Sequence, residues 1–223
     1  MQERISRATS WLGKHWLQVL VHAGALLPLA WILWNYTQGG FLVDPVREIT
    51  TLTGRVSIIL VVLTLACTPI NTIFGFRQVL RVRRTLGLFA FLYVGLHFLT
   101  FVWLDYALDL PLIWEAIFDQ RYVLAGFVSG SILLLLALTS TKGWQRRLGK
   151  RWKRLHRWVY LAGILAVVHY LWLAKDARDP LRYGVLVALL LALRIPPIRR
   201  TVSNARYRLL SKWNASRSPT EAA

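Results

Sequence analysis

Six stretches of about 20 apolar residues, each long enough to cross roughly 30 Å of hydrocarbon at the helical rise, constrain this 223-residue chain more than any other feature. They fall at 15–34, 54–74, 85–104, 122–138, 155–173 and 181–198. In hydrocarbon a backbone must satisfy its own hydrogen bonds, and runs this long do so as helices. The expected fold is therefore an all-α bundle of six transmembrane helices. Basic residues before the first stretch resemble a signal peptide, but no small-residue cleavage site stands out before Trp31. The first stretch reads as a retained helix.

The connections set the orientation, because Lys and Arg are kept on the cytoplasmic face. Arg4, Arg7 and Lys14 precede the first stretch, and Arg77, Arg81, Arg83 and Arg84 join the second to the third. Seven more, from Lys142 to Arg154, join the fourth to the fifth. The intervening connections hold Asp44, Glu48, Asp105, Asp109, Glu115, Asp119, Asp176 and Asp179 instead. Both termini are thus expected in the cytoplasm, with residues 1–14 as a cytoplasmic N-terminus, 15–200 as the membrane domain and 201–223 as a cytoplasmic basic tail that loses order after Lys212. The expected location is a bacterial inner membrane, crossed several times.

The formal charge of +18 does not imply nucleic acid, since the basic residues lie in short segments between apolar runs rather than on a soluble surface. A single cysteine, Cys67, excludes a disulfide framework or an iron–sulfur cluster built within one chain. Pro69, inside the second stretch, leaves a backbone carbonyl that needs a partner from a neighbouring helix. Pro196 and Pro197 blunt the end of the sixth. Residues 105–121 exceed a simple connection, and the segment around Trp114 suits the outer membrane surface. Trp103, Trp114, Trp158, Trp172 and Tyr106 fall near helix ends, where such rings anchor in the headgroup region.

Ionisable groups inside a membrane are costly and point to function. Of five histidines, His15 lies at a helix edge, and His22 suits interhelical packing as well as ligation. Counted inward from the cytoplasmic ends, His97 lies about 18 Å deep, His169 about 21 Å and His156 about 2 Å. His97 and His169 thus share a level, as a bis-imidazole haem in a helix bundle requires. His156 and His169 stand 13 residues apart, roughly 220° around an ideal helix, so spacing alone does not establish two stacked haems. Gly87, Gly95, Gly126, Gly130 and Gly163 remove bulk where a macrocycle would enter, although small residues also serve helix packing.

The run RRTLGLFAFLYVGLH from Arg83 to His97, then WKRLHRWVY from Trp152 to Tyr160, then His169-Tyr170, resembles the ferric-reductase-like transmembrane family. That resemblance implies b-type haem held by His97, His156 and His169, with FMN as an associated cofactor. It implies electrons taken from a cytoplasmic flavin reductase or the membrane quinone pool. They would pass to a periplasmic molybdopterin-containing subunit that reduces methionine sulfoxide and so repairs oxidised periplasmic proteins. Two-haem members carry paired histidines 13 or 14 residues apart on each of two helices. Here the position partnering His97 is Arg83 or Arg84, a departure that bears on a second haem. Arg83, Arg84 and Arg154 match the anionic oxygens of propionates or a flavin phosphate, and they equally fit the cytoplasmic charge rule. No G-x-G-x-x-G or phosphate loop is present, so a separate reductase is implied. A transporter using the histidines as a proton relay and a cofactor-free assembly protein are the other classes open to such a chain.

Overall fold

Local signals place the helix boundaries in the computed structural model, which describes residues 2–40 and 44–217, with side chains considered for 15–40, 44–209 and 211. Helix α1 is Gln2–Thr37 and α2 is Pro45–Phe74. The Asp44 carboxylate caps α2 by accepting from the Arg47 N–H at 3.0 Å, and Pro45 supplies a first turn that needs no donor. Gly75, at φ 72°, closes the helix in the left-handed conformation, its N–H donating to the Asn71 carbonyl. Helix α3, Val79–Leu99, runs into a π-helical turn over Thr100–Asp105. Ala107 and Leu108 follow with φ of 46° and 64°, a region non-glycine residues enter at a cost.

Helix α4, Leu110–Asp119, is capped by Asp109 and buries Ile113, Ala116 and Ile117 while Leu110, Trp114 and Phe118 stay exposed. This two-sided helix is the segment the sequence places on a membrane surface. Helices α5 (Arg121–Leu138), α6 (Lys142–Leu148), α7 (Lys150–Leu155), α8 (Val159–Leu173), α9 (Arg178–Ala192) and α10 (Pro196–Arg217) complete the chain. Among the described residues there is no strand.

Four helices are long and apolar enough to cross a membrane: His15–Thr37, Pro45–Phe74, Val79–Asp105 and Arg121–Leu138. A fifth arises if α9 and α10, bent by 78°, count as one span. The stretch expected at 155–173 gives a shorter α8 of 15 residues, because a 3-10 turn at His156–Trp158 separates it from α7. Pro196 and Pro197 open α10 rather than end the sixth stretch, and the chain turns there. α10 continues to Arg217, past the Lys212 where order was expected to fail; residues 218–223 lie outside the described residues, as do the side chains of Arg4, Arg7 and Lys14. Large apolar side chains such as Leu27, Leu33, Leu63 and Leu189 remain exposed around the helices, as a lipid-facing surface demands.

Contacts between helices give the packing its sense. Thr50, near the start of α2, bonds Thr100 after the end of α3, so these two run antiparallel. Ser129 of α5 donates to the Ala162 carbonyl of α8. Arg55, in the first half of α2, pairs with Asp179 at the start of α9, and Leu65 and Val187 further along the two meet at Gly163, so α2 and α9 are parallel. One end therefore collects the acidic connections and the other the basic ones. The core between them includes Leu65, Ala90, Ala162 and Tyr93, whose hydroxyl donates to the Ala25 carbonyl of α1 at 2.6 Å, three residues before Pro28. Trp103, Trp114, Trp158 and Trp172 are exposed near helix ends, whereas Tyr106 packs on Phe101 at 4.7 Å.

Candidate cofactor site

His97 of α3 and His169 of α8 come together toward the acidic end, with ring centroids 6.0 Å apart and planes at 81°. Each ring is fixed by a backbone carbonyl of another helix: His97 Nδ1 lies 2.9 Å from the Thr50 oxygen and His169 Nδ1 lies 2.7 Å from the Tyr122 oxygen. A carbonyl only accepts, so both Nδ1 atoms carry the proton. That assigns the lone pair to Nε2 in both rings, the state in which imidazole ligates a metal and the second nitrogen is held in place.

Two glycines make room for these rings. A Cβ on Gly54 would come within 3.1 Å of the His97 ring, and one on Gly126 within 2.7 Å of His169 Nδ1. The histidines thus lie against bare backbone from α2 and α5. Gly130 and Gly163 instead admit Val94 and Leu65, so they serve packing, and Gly95 faces nothing within 4 Å. Gly54 lies 21 residues before and His97 19 residues after the Gly75–Gln78 connection of an antiparallel helix pair. Near-equal spacing brings the two to a similar level, but only the register of α2 against α3 sets Gly54 against the ring.

The donor set fits a tetrapyrrole iron. Among the described residues no group of three or more His, Cys, Asp or Glu is placed to hold a metal ion. Two imidazoles are the protein's whole share of the ligands when a macrocycle brings the others. Rings with centroids 6.0 Å apart are close enough for both imidazoles to share one metal ion.

The other expected residues lie elsewhere. His156 is at the basic end, stacked on Trp152 at 4.0 Å, with Nε2 3.3 Å from the Thr139 hydroxyl. Arg83 is half-buried and close enough to His156 to be felt electrostatically, while Arg84 and Arg154 are exposed. His22 bonds the Gln18 carbonyl of its own helix at 2.7 Å and meets the edge of Phe89.

Arg194 is the residue the sequence reading did not single out for a site. Its Nη2 donates to the Leu65 carbonyl at 2.6 Å and its Nη1 to the Tyr160 hydroxyl at 2.8 Å, with the guanidinium 4.9 Å from the Tyr160 ring centre. Leu65 stands four residues before Pro69, so this is the carbonyl that Pro69 cannot pair. Here the partner expected from a neighbouring helix is found.

No solved structure matches the chain. Residues 53–167, just over half of it, match the family described as Ferric reductase like transmembrane component. The matched region takes in Gly54, His97, Gly126 and His156 and stops two residues before His169. Several apolar helices, two carbonyl-fixed imidazoles and this match agree: the chain is a multi-pass membrane protein belonging to the ferric-reductase-like transmembrane family, a family of transmembrane electron transfer.

Proposed function

We propose that this chain is the membrane subunit of an electron-transfer system and holds one b-type haem between His97 and His169. The observation that carries this reading is the pair of imidazoles 6.0 Å apart, each with its Nδ1 proton committed to a carbonyl. Bound haem supplies a one-electron carrier. The protein's part is to hold both rings in the ligating tautomer, to keep Gly54 and Gly126 clear of them, and to surround them with apolar helices that exclude water.

In this reading the stretches at 15–34, 54–74, 85–104, 122–138, 155–173 and 181–198 all cross a bacterial inner membrane, with 15–200 as the membrane domain and both termini in the cytoplasm. Segregation of Lys and Arg to one end supports that orientation. Electrons enter at the basic end from a cytoplasmic flavin reductase or the quinone pool. They leave at the acidic end to a periplasmic molybdopterin-containing methionine sulfoxide reductase. His156, with Arg83, Arg84 and Arg154, serves the basic entrance by binding FMN or a second haem. A proton relay is less well supported, because both ring N–H groups end on carbonyls, which have no proton to pass on.

The test is a reduced-minus-oxidised visible spectrum of the full chain purified after expression with ample haem. Low-spin b-type bands that disappear in His97→Ala and His169→Ala support the assignment; a colourless wild type contradicts it.

A further inference from the structure

The basic end holds a set of buried polar groups that the His97–His169 haem does not use; it shares Arg83 with the basic entrance proposed above, so its flavin arm rests on that reading. Arg194 spends Nη1 and Nη2 on Tyr160 and Leu65, yet its buried Nε has no acceptor. On α2, three and six residues beyond Leu65, the Thr68 hydroxyl and the Asn71 side-chain oxygen are also buried and unpartnered. Arg83 of α3 is half-buried and lies within electrostatic range of Arg194 and Cys67. Arg206 closes the set from α10, its Nη1 3.4 Å from the Asn71 carbonyl.

None of these three cations has an acidic partner among the described residues. Every ion pair among them, Arg55–Asp179, Arg178–Asp176 and Arg182–Asp179, lies at the opposite end. Gathering like charges around unsatisfied polar atoms at a membrane boundary is costly, and the cost vanishes if an anion rich in acceptors sits among them. Guanidinium forks match the oxygens of phosphate. Thr68 adds a hydroxyl donor, and the Asn71 amide adds an N–H when turned by half a rotation.

We propose that Arg83, Arg194, Thr68 and Asn71 form a binding site for the phosphate group of a ligand reaching the basic end of the helices. A flavin phosphate and a phospholipid headgroup share this chemistry. The site stands on geometry separate from His97 and His169, so its fate is independent of the haem assignment.

The full chain is placed in phosphatidylcholine nanodiscs and titrated with FMN and with riboflavin, which lacks the phosphate, following flavin fluorescence; inorganic phosphate serves as competitor. In a second arm, nanodiscs containing phosphatidylglycerol are examined by native mass spectrometry for retained lipid. Binding of FMN at least tenfold tighter than riboflavin, relieved by phosphate, identifies a flavin phosphate; selective retention of phosphatidylglycerol identifies a headgroup. Either preference should fall at least tenfold in both Arg83→Gln and Thr68→Val, which leave the Arg194–Leu65 bond in place. No preference for either phosphate-bearing probe, or a preference that falls less than tenfold in either variant, overturns the site. The visible spectrum of each variant, recorded alongside, reports folding and haem content separately.

Discussion

Arg194 donates to the carbonyl of Leu65 at 2.6 Å, supplying from the α9–α10 corner the hydrogen bond that Pro69 removes from α2. A proline inside a membrane helix is tolerated when a neighbour satisfies the freed carbonyl, and here the neighbour is charged. Replacing Arg194 by Leu leaves that oxygen unpaired and should cost about 1–3 kcal/mol of stability. Pro69→Ala returns an N–H to the helix, so Arg194→Leu should cost markedly less in that background. Thermal denaturation in detergent of the two single variants and the double variant reads this coupling.

Gly126 and Gly54 should not tolerate a methyl group equally. The Cβ of Gly126→Ala would lie 2.7 Å from the His169 ring, against 3.1 Å for Gly54→Ala and His97. Gly126→Ala should lose most of its haem, Gly54→Ala should retain a perturbed fraction, and Gly95→Ala, with nothing within 4 Å, should match wild type. Pyridine-haemochrome counting per protein ranks the three.

His156 touches Trp152 and Thr139 and stands apart from the His97–His169 pair. His156→Ala should therefore keep the low-spin bands of that pair while slowing reduction by a flavin donor about tenfold, a barrier change near 1.4 kcal/mol. Stopped-flow reduction by a flavin reductase, compared with dithionite, separates the two effects.

His22 bonds its own helix through the Gln18 carbonyl and meets Phe89 at ring-edge geometry. His22→Ala should leave haem content and band positions unchanged. A loss of haem comparable with that of His97→Ala would place His22 among the ligands.

Much of this arrangement is legible in the sequence because a membrane allows few solutions. Run length marks where apolar helices fall, though not their ends, and depth counting puts His97 and His169 at one level, where their rings do meet. Pro69 announces a missing bond before its partner is known. What stays hidden is rotation. A helix such as α8, apolar on nearly every side, carries no periodic signal for the face that meets its neighbours. Gly54 could not be distinguished from a packing glycine without the register of α2 against α3. Arg194 sits near other basic residues, where cytoplasmic charge alone explains it, and only the bend at Pro196 turns it onto Leu65. The 3-10 turn at His156–Trp158 is similarly invisible, since its residues differ little from those of a continuous helix.

The most direct test of the central claim is haem stoichiometry and spectrum in the purified full chain and in its His97→Ala, His169→Ala and His97→Ala/His169→Ala variants. The account predicts low-spin b-type bands in the wild type, and loss of the same haem in either single variant with no further loss in the double. A wild type free of haem despite ample supply, or a single variant that keeps the full haem complement and an unchanged low-spin spectrum, would contradict it.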